Sequence, residues 1–110
     1  MTLINYDDFE KVEIRVGKII KVEAFPKARK PAYKLWLDFG ELGSKKSRAQ
    51  ITKYNQEQLI EQQVLAVTNL PPRQVADFIS EVLVLGVVLD NEEVALIQSD
   101  RDVPLCKRIL

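Results

Sequence analysis

Three observations predict an all-β domain with one short helix. Apolar residues recur at every second position through most of the 110 residues, the period of a strand. Turn-forming segments at Pro26, Gly40–Ser44, Pro71-Pro72 and Asp90–Glu93 cut that pattern into separate runs. Only one stretch, Tyr54–Glu61, drops the alternation and opens as a helix does. The length supports a single domain, residues 1–110, around one core.

The first run spans Val12 to Phe25, with Val12, Ile14, Val16, Ile20, Val22 and Ala24 on one side and Glu13, Arg15, Lys21 and Glu23 on the other. The phase falters at Gly17-Lys18-Ile19, where the glycine is the expected place for a bulge or sharp bend. A second strand from Tyr33 to Phe39 puts Tyr33, Leu35, Leu37 and Phe39 inside, and Lys34, Trp36 and Asp38 outside. Gly40–Ser44 turns the chain into a third, more polar strand from Lys45 to Thr52. In the helical stretch Asn55 stands as N-cap, Glu57 favours the helix dipole in the first turn, and the short apolar face limits the helix to about two turns.

Val64–Leu70 is the fourth strand. The fifth is Val82–Leu89, apolar throughout, as expected of a strand covered on both faces. A short extra strand, Val94–Gln98, and a tail, Ser99–Leu110, that reads as irregular complete the chain. Three strands, a short helix and two more strands is the order of an OB-fold, a five-stranded, partly open barrel. The extra strand and tail exceed what the barrel needs, and packing against a second copy is the simplest use for them.

The composition excludes much chemistry. There is no histidine, so Ser-His-Asp and Cys-His nucleophiles, histidine-ligated metals and a histidine switch near neutral pH are all out. The single cysteine, Cys106, makes neither an internal disulfide nor a thiolate cage, which points to the cytoplasm. No apolar run approaches a membrane span, and the N-terminus lacks the pattern of a signal peptide. Asp7-Asp8, Glu92-Glu93 and Asp100-Arg101-Asp102 fall in turns or termini, and Gly40–Lys45 lacks the spacing of a phosphate loop. The expectation is a non-enzymatic protein with no cofactor, no metal and no small-molecule substrate.

The sixteen cations balance sixteen carboxylates, but unevenly along the chain. Residues 1–53 hold 12 basic and 7 acidic side chains, and residues 54–110 hold 4 basic and 9 acidic. A basic groove that tracks phosphates, with aromatics for stacking, is what RNA requires. Lys27, Arg29, Lys30, Lys34, Lys46, Arg48, Lys53 and Arg73 are the candidate RNA-binding cations, most of them on or beside strands 2 and 3, the OB-fold binding face. The same lysines also suit a solvated strand face that resists edge pairing. Phe25, Tyr33, Trp36 and Phe78 are the candidate polypeptide contacts. Trp36, on the polar side of its strand, must cover something: a ligand, a second subunit or the tail. Phe25 is the expected apolar rim, with Tyr33 and Phe78 as core or rim packing.

Asp8-Phe9-Glu10-Lys11-Val12-Glu13-Ile14-Arg15-Val16-Gly17-Lys18-Ile19 resembles the opening of the tRNA-binding domain family, which includes free-standing tRNA-binding proteins and C-terminal domains of some methionyl-tRNA synthetases. Ala28–Leu35, Ser47–Tyr54, Asn69–Gln74 and Ser80–Gly86 are similar to the CsaA export-related chaperones within it. The resemblance implies an OB-fold, a homodimer built through the terminal segments, and one of two activities. The first is chaperoning, by binding exposed apolar or basic segments of precursor polypeptides. The alternative is tRNA binding by shape. The chain departs from the tRNA-binding members at Phe25-Pro26, where they carry His-Pro, at Ala32-Tyr33, where they carry an aspartate, and at Pro71-Pro72-Arg73-Gln74, which keeps one cation of two.

Overall fold

The computed structural model describes all 110 residues. A short helix α1 (Tyr6–Glu10), with Asp7 and Asp8 in its first turn, precedes the long strand β1 (Ile14–Ala24). β2 (Tyr33–Asp38) and β3 (Ser44–Ala49) follow, joined by a single 3-10 turn at Gly40–Leu42. Helix α2 (Gln56–Leu59) leads to β4 (Gln63–Val67). α2 opens where expected: the Asn55 N–H donates to Gln58 Oε1 at 2.8 Å, and Leu59 is its buried anchor. Two short hairpins and a linking strand finish the chain: β5 (Arg73–Val75) with β6 (Phe78–Ser80), then β7 (Leu83–Val84), then β8 (Gly86–Val88) with β9 (Val94–Leu96).

β1 is shared by two halves of an antiparallel sheet in the order β3-β2-β1-β4-β7. Its first half, Ile14–Lys18, pairs with β4, and Lys18 onward pairs with β2. Ser47 and Val82 close the barrel: the Glu81 and Val82 N–H groups both donate to the Lys46 carbonyl, and Ser47 Oγ donates to the Val82 carbonyl at 2.8 Å. The five-stranded barrel is nearly closed, as the OB order predicts. Inside it lie Ile19, Leu35, Leu37, Phe39, Ile51, Leu59, Val64, Ala66 and Val82.

Two sequence expectations are corrected. The bulge in β1 falls between Ile19 and Lys21 rather than at Gly17, which sends Ile19 into the core and Ile20 to solvent. Gly17 serves a different purpose: a Cβ there would lie 2.7 Å from the ring of Phe39, so the glycine gives the ring room to cross the strand. The apolar run Val82–Leu89 is not one strand covered on both faces. It breaks at Leu85, whose N–H donates to the Leu65 carbonyl at 2.8 Å, and Gly86 then passes too close to Val94 for any Cβ. Leu83, Val87, Val88 and Leu89 are left exposed, Val88 at 75%.

The tail forms no regular strand, yet it is docked. Cys106 N–H donates to the Val16 carbonyl, Val16 N–H to the Lys107 carbonyl and Ile109 N–H to the Ile14 carbonyl. Arg15 Nη1 reaches the Cys106 carbonyl at 2.9 Å, and the Gln63 amide brackets Val103 with two hydrogen bonds. The tail therefore covers the free side of β1 within the same chain, and Cys106 is buried there.

Candidate binding trough

Parity decides what β2 and β3 show to the outside. Leu35, Leu37, Ser47 and Tyr33 point inward, and the Tyr33 hydroxyl donates to the Tyr54 carbonyl at 2.8 Å. Lys34, Trp36, Lys46 and Arg48 share the outer face, paired across the strands as Lys34 with Arg48 and Trp36 with Lys46. The β5–β6 hairpin, absent from the sequence reading, lies across this face and reshapes it.

Phe78 of β6 inserts between two rings. Its centroid is 5.6 Å from Phe25 and 5.7 Å from Trp36, both edge-on. Lys34 Nζ stands 5.0 Å from the Phe25 ring and 5.4 Å from Phe78, Lys46 Nζ 5.3 Å from Phe78, and Lys21 Nζ 4.6 Å from Trp36. Phe25 and Phe78 are consequently buried, at 4% and 6% exposure. The fold thus makes no open rim of Phe25, and Tyr33 sits apart from the cluster as a barrel residue. Trp36 is covered by Phe78 and Lys21 rather than by the tail. At the hairpin tip, Lys27 Nζ donates to Asp77 Oδ2 at 2.8 Å. That bond holds the Asp77 carboxyl below its usual range and raises Lys27.

Beside the hairpin runs a trough with two ends. The cationic end, about 250 Å³, is lined by Ala28, Arg29, Lys30, Arg48, Gln50, Arg73, Gln74 and Val75, with no carboxylate among them. The other end, about 210 Å³, is lined by Leu70, Pro71, Val82 and Leu83 together with Ser80 and Glu81. Arg48, Arg73 and Val75 border both.

Four of the eight candidate cations, Arg29, Lys30, Arg48 and Arg73, therefore meet in one place. Lys27 is engaged by Asp77, and Lys34 and Lys46 cap the rings. Lys53 lies in a neighbouring hollow with Glu92 and Glu93. Leu70, Val75 and Leu83 are lining residues that sequence reasoning missed. Leu70 and Leu83 are about half exposed and line the same hollow, so together they offer a small apolar surface. Their only sequence signal was an apolar residue at each edge of the Pro71–Val82 connection. No helix is long and apolar enough to cross a membrane.

Residues 14–108 match the family described as "Putative tRNA binding domain". The CsaA chaperone of Bacillus anthracis is 48% identical, with a TM-score of 0.95 over 99% of this chain and 100% of that one. The CsaA chaperone of Picrophilus torridus is also 48% identical, with a TM-score of 0.92 over 98% and 100%. The methionine–tRNA ligase of Methanococcus aeolicus is 34% identical over 105 residues, 96% of this chain. The chain spans about 15% of the length of the curated ligases it matches. By the family match and by these full-length likenesses, the chain belongs to the tRNA-binding domain family and, within it, to the CsaA-type proteins.

Proposed function

We propose that the chain is a non-enzymatic, cytoplasmic chaperone of the CsaA type, working as a homodimer that holds exposed segments of unfolded precursor polypeptides. The observation that carries this reading is the two-ended trough. An extended polypeptide offers apolar side chains to Leu70, Val75 and Leu83 while its polar groups meet Arg48 and Arg73. A phosphate backbone needs only the cationic end. The end-to-end likeness to two CsaA chaperones supports the same choice. Pairing with a second copy is supported by apolar surface that nothing in the chain covers: Leu3, Ile4 and Tyr6 near the N-terminus, and Val87, Val88 and Leu89 on the β8–β9 hairpin.

A second reading, structure-specific tRNA binding, is favoured by one specific observation: three arginines and a lysine converge with no carboxylate lining the same cavity. The two readings separate in one pair of assays. The purified protein is tested for suppressing aggregation of a chemically unfolded enzyme, and for binding unfractionated tRNA at low and near-physiological salt. Leu83→Glu and Val75→Glu abolish suppression if the trough holds polypeptide. Failure to suppress aggregation at any ratio, with tight tRNA binding at near-physiological salt, would hand the function to RNA.

A further inference from the structure

The β5–β6 hairpin is fastened unequally. At its base, Arg48 N–H donates to Ser80 Oγ, and Glu81 and Val82 donate to the Lys46 carbonyl. Between Leu70 and Ile79 no backbone group hydrogen-bonds to the barrel, and the hairpin forms a two-stranded sheet of its own. Its tip is held by the Lys27–Asp77 ion pair, whose side chains are more than half exposed, and by one inserted ring, Phe78. Beneath that ring lie two more rings and two lysine heads. The covered ground is the outer face of β2 and β3, where OB-folds take their ligands.

We propose that the hairpin is a flap and Phe78 a resident plug: an aromatic side chain of an unfolded polypeptide replaces Phe78 in the slot between Phe25 and Trp36 when the Lys27–Asp77 pair lets go. The proposal rests on the polypeptide-binding reading and supplies the residue class that reading lacks. The geometry favours a side chain over a nucleobase. Phe78 meets both neighbours edge-on, at interplanar angles of 67° and 72°, whereas a stacked base needs a parallel face. The exchange also requires that the closed state dominate without ligand. Lifting the plug bares Phe25 and the face of Trp36 that Phe78 covers to water, an expense that an incoming ring offsets and an empty slot does not. Ligand affinity is then reduced by the rarity of the open state, and weakening the latch relieves that reduction.

Trp36 is the only tryptophan and touches the plug, so it reports directly. The intact protein, Asp77→Ala and Lys27→Ala are compared by acrylamide quenching of Trp36. Each is titrated with a Gly-Ser peptide bearing one phenylalanine and with the same peptide bearing alanine. Expected are at least a twofold rise in quenching in both latch variants, with unchanged far-UV circular dichroism, and severalfold tighter binding of the phenylalanine peptide alone. In Phe78→Ala, provided it folds, binding no longer depends on residue 77. Unchanged quenching and unchanged peptide affinity in both latch variants overturn the flap. If aggregation suppression survives that result, the chaperone reading stands without it. Freed Trp36 with no preference for the phenylalanine peptide, or with poly(U) competing for the slot, overturns the choice of occupant.

Discussion

Replacing Arg29, Arg48 and Arg73 together by alanine tests whether the cationic end of the trough follows a phosphate backbone. These residues and Lys30 line one cavity, and none of the three arginines has an ion-pair partner. If all four cations meet phosphates of a folded RNA, at about 0.9 counterions each, log K falls with log salt at a slope of roughly −3.6. Affinity then drops about 150-fold between about 50 and 200 mM salt. The triple variant keeps Lys30 alone, with a slope of roughly −0.9 and a drop of about 3.5-fold over the same range. Fluorescence anisotropy of end-labelled tRNA at five salt concentrations measures both slopes. Polypeptide holding should weaken only in part in the triple variant and stay nearly independent of salt, because Leu70 and Leu83 keep the apolar contacts while the polar contacts of Arg48 and Arg73 are lost. A triple variant that keeps the intact protein's salt slope would refute the assignment of these arginines, whatever its affinity.

Three further outcomes are expected. Gly17→Ala drives a methyl to 2.7 Å from the fully buried Phe39 ring, and overpacking of that kind costs about 1–3 kcal/mol, to be read as a fall in the thermal midpoint. A Phe39→Leu background should recover part of it, and additive losses would show that the ring is not the obstacle. Val88→Glu places a charge on the most exposed apolar residue of the β8–β9 hairpin and should convert the proposed dimer to monomer in light scattering while leaving the circular dichroism unchanged; a protein that is monomeric before the change would refute the pairing. The hairpin tip should be insensitive to pH across the neutral range. Asp77, lowered by the Lys27 hydrogen bond and by nearby Lys34, contributes fully above its unfolded value of about 3.9 and loses that contribution as pH falls through its lower folded value. Lys27, raised by the same bond, contributes fully below about 10.4 and loses it as pH rises through its folded value. Trp36 emission is therefore flat from about pH 5 to 9, and a transition near neutrality would contradict the ion-pair latch.

The barrel was legible in the sequence because its signals are local. Leu35, Leu37 and Phe39 alternate in register with the inner face, and Asn55 caps a helix one turn before Leu59. What escaped was decided by contacts distant in the chain. Gly17 looks like a bulge until Phe39 is placed against it, 22 residues away. Val82–Leu89 looks like a buried strand because apolar content says nothing about whether a second face is covered. The β5–β6 hairpin has three pairs and no glycine at its turn, where Ala76 instead takes a positive φ of 51°. Without the hairpin, Phe25 reads as an exposed rim. With it, Phe25 becomes the floor beneath Phe78.

The charge pattern makes the same point from the other side. The excess of cations in the first half of the chain suggested a broad basic face, but acids of the second half fold back onto part of it. Lys27 is taken by Asp77, and Lys30 stands 3.9 Å from Glu92. Lys34 and Lys46 spend their heads on aromatic rings. Of the eight candidate cations, Arg29, Arg48, Arg73 and Lys53 are left over, and the three arginines share the trough. A neutral protein can thus present a strongly basic site without a basic composition, because pairing removes cations by position rather than by number. Arginine suits the residue of that subtraction, since its planar fork meets a carboxylate or a phosphate with two bonds where lysine offers a point charge.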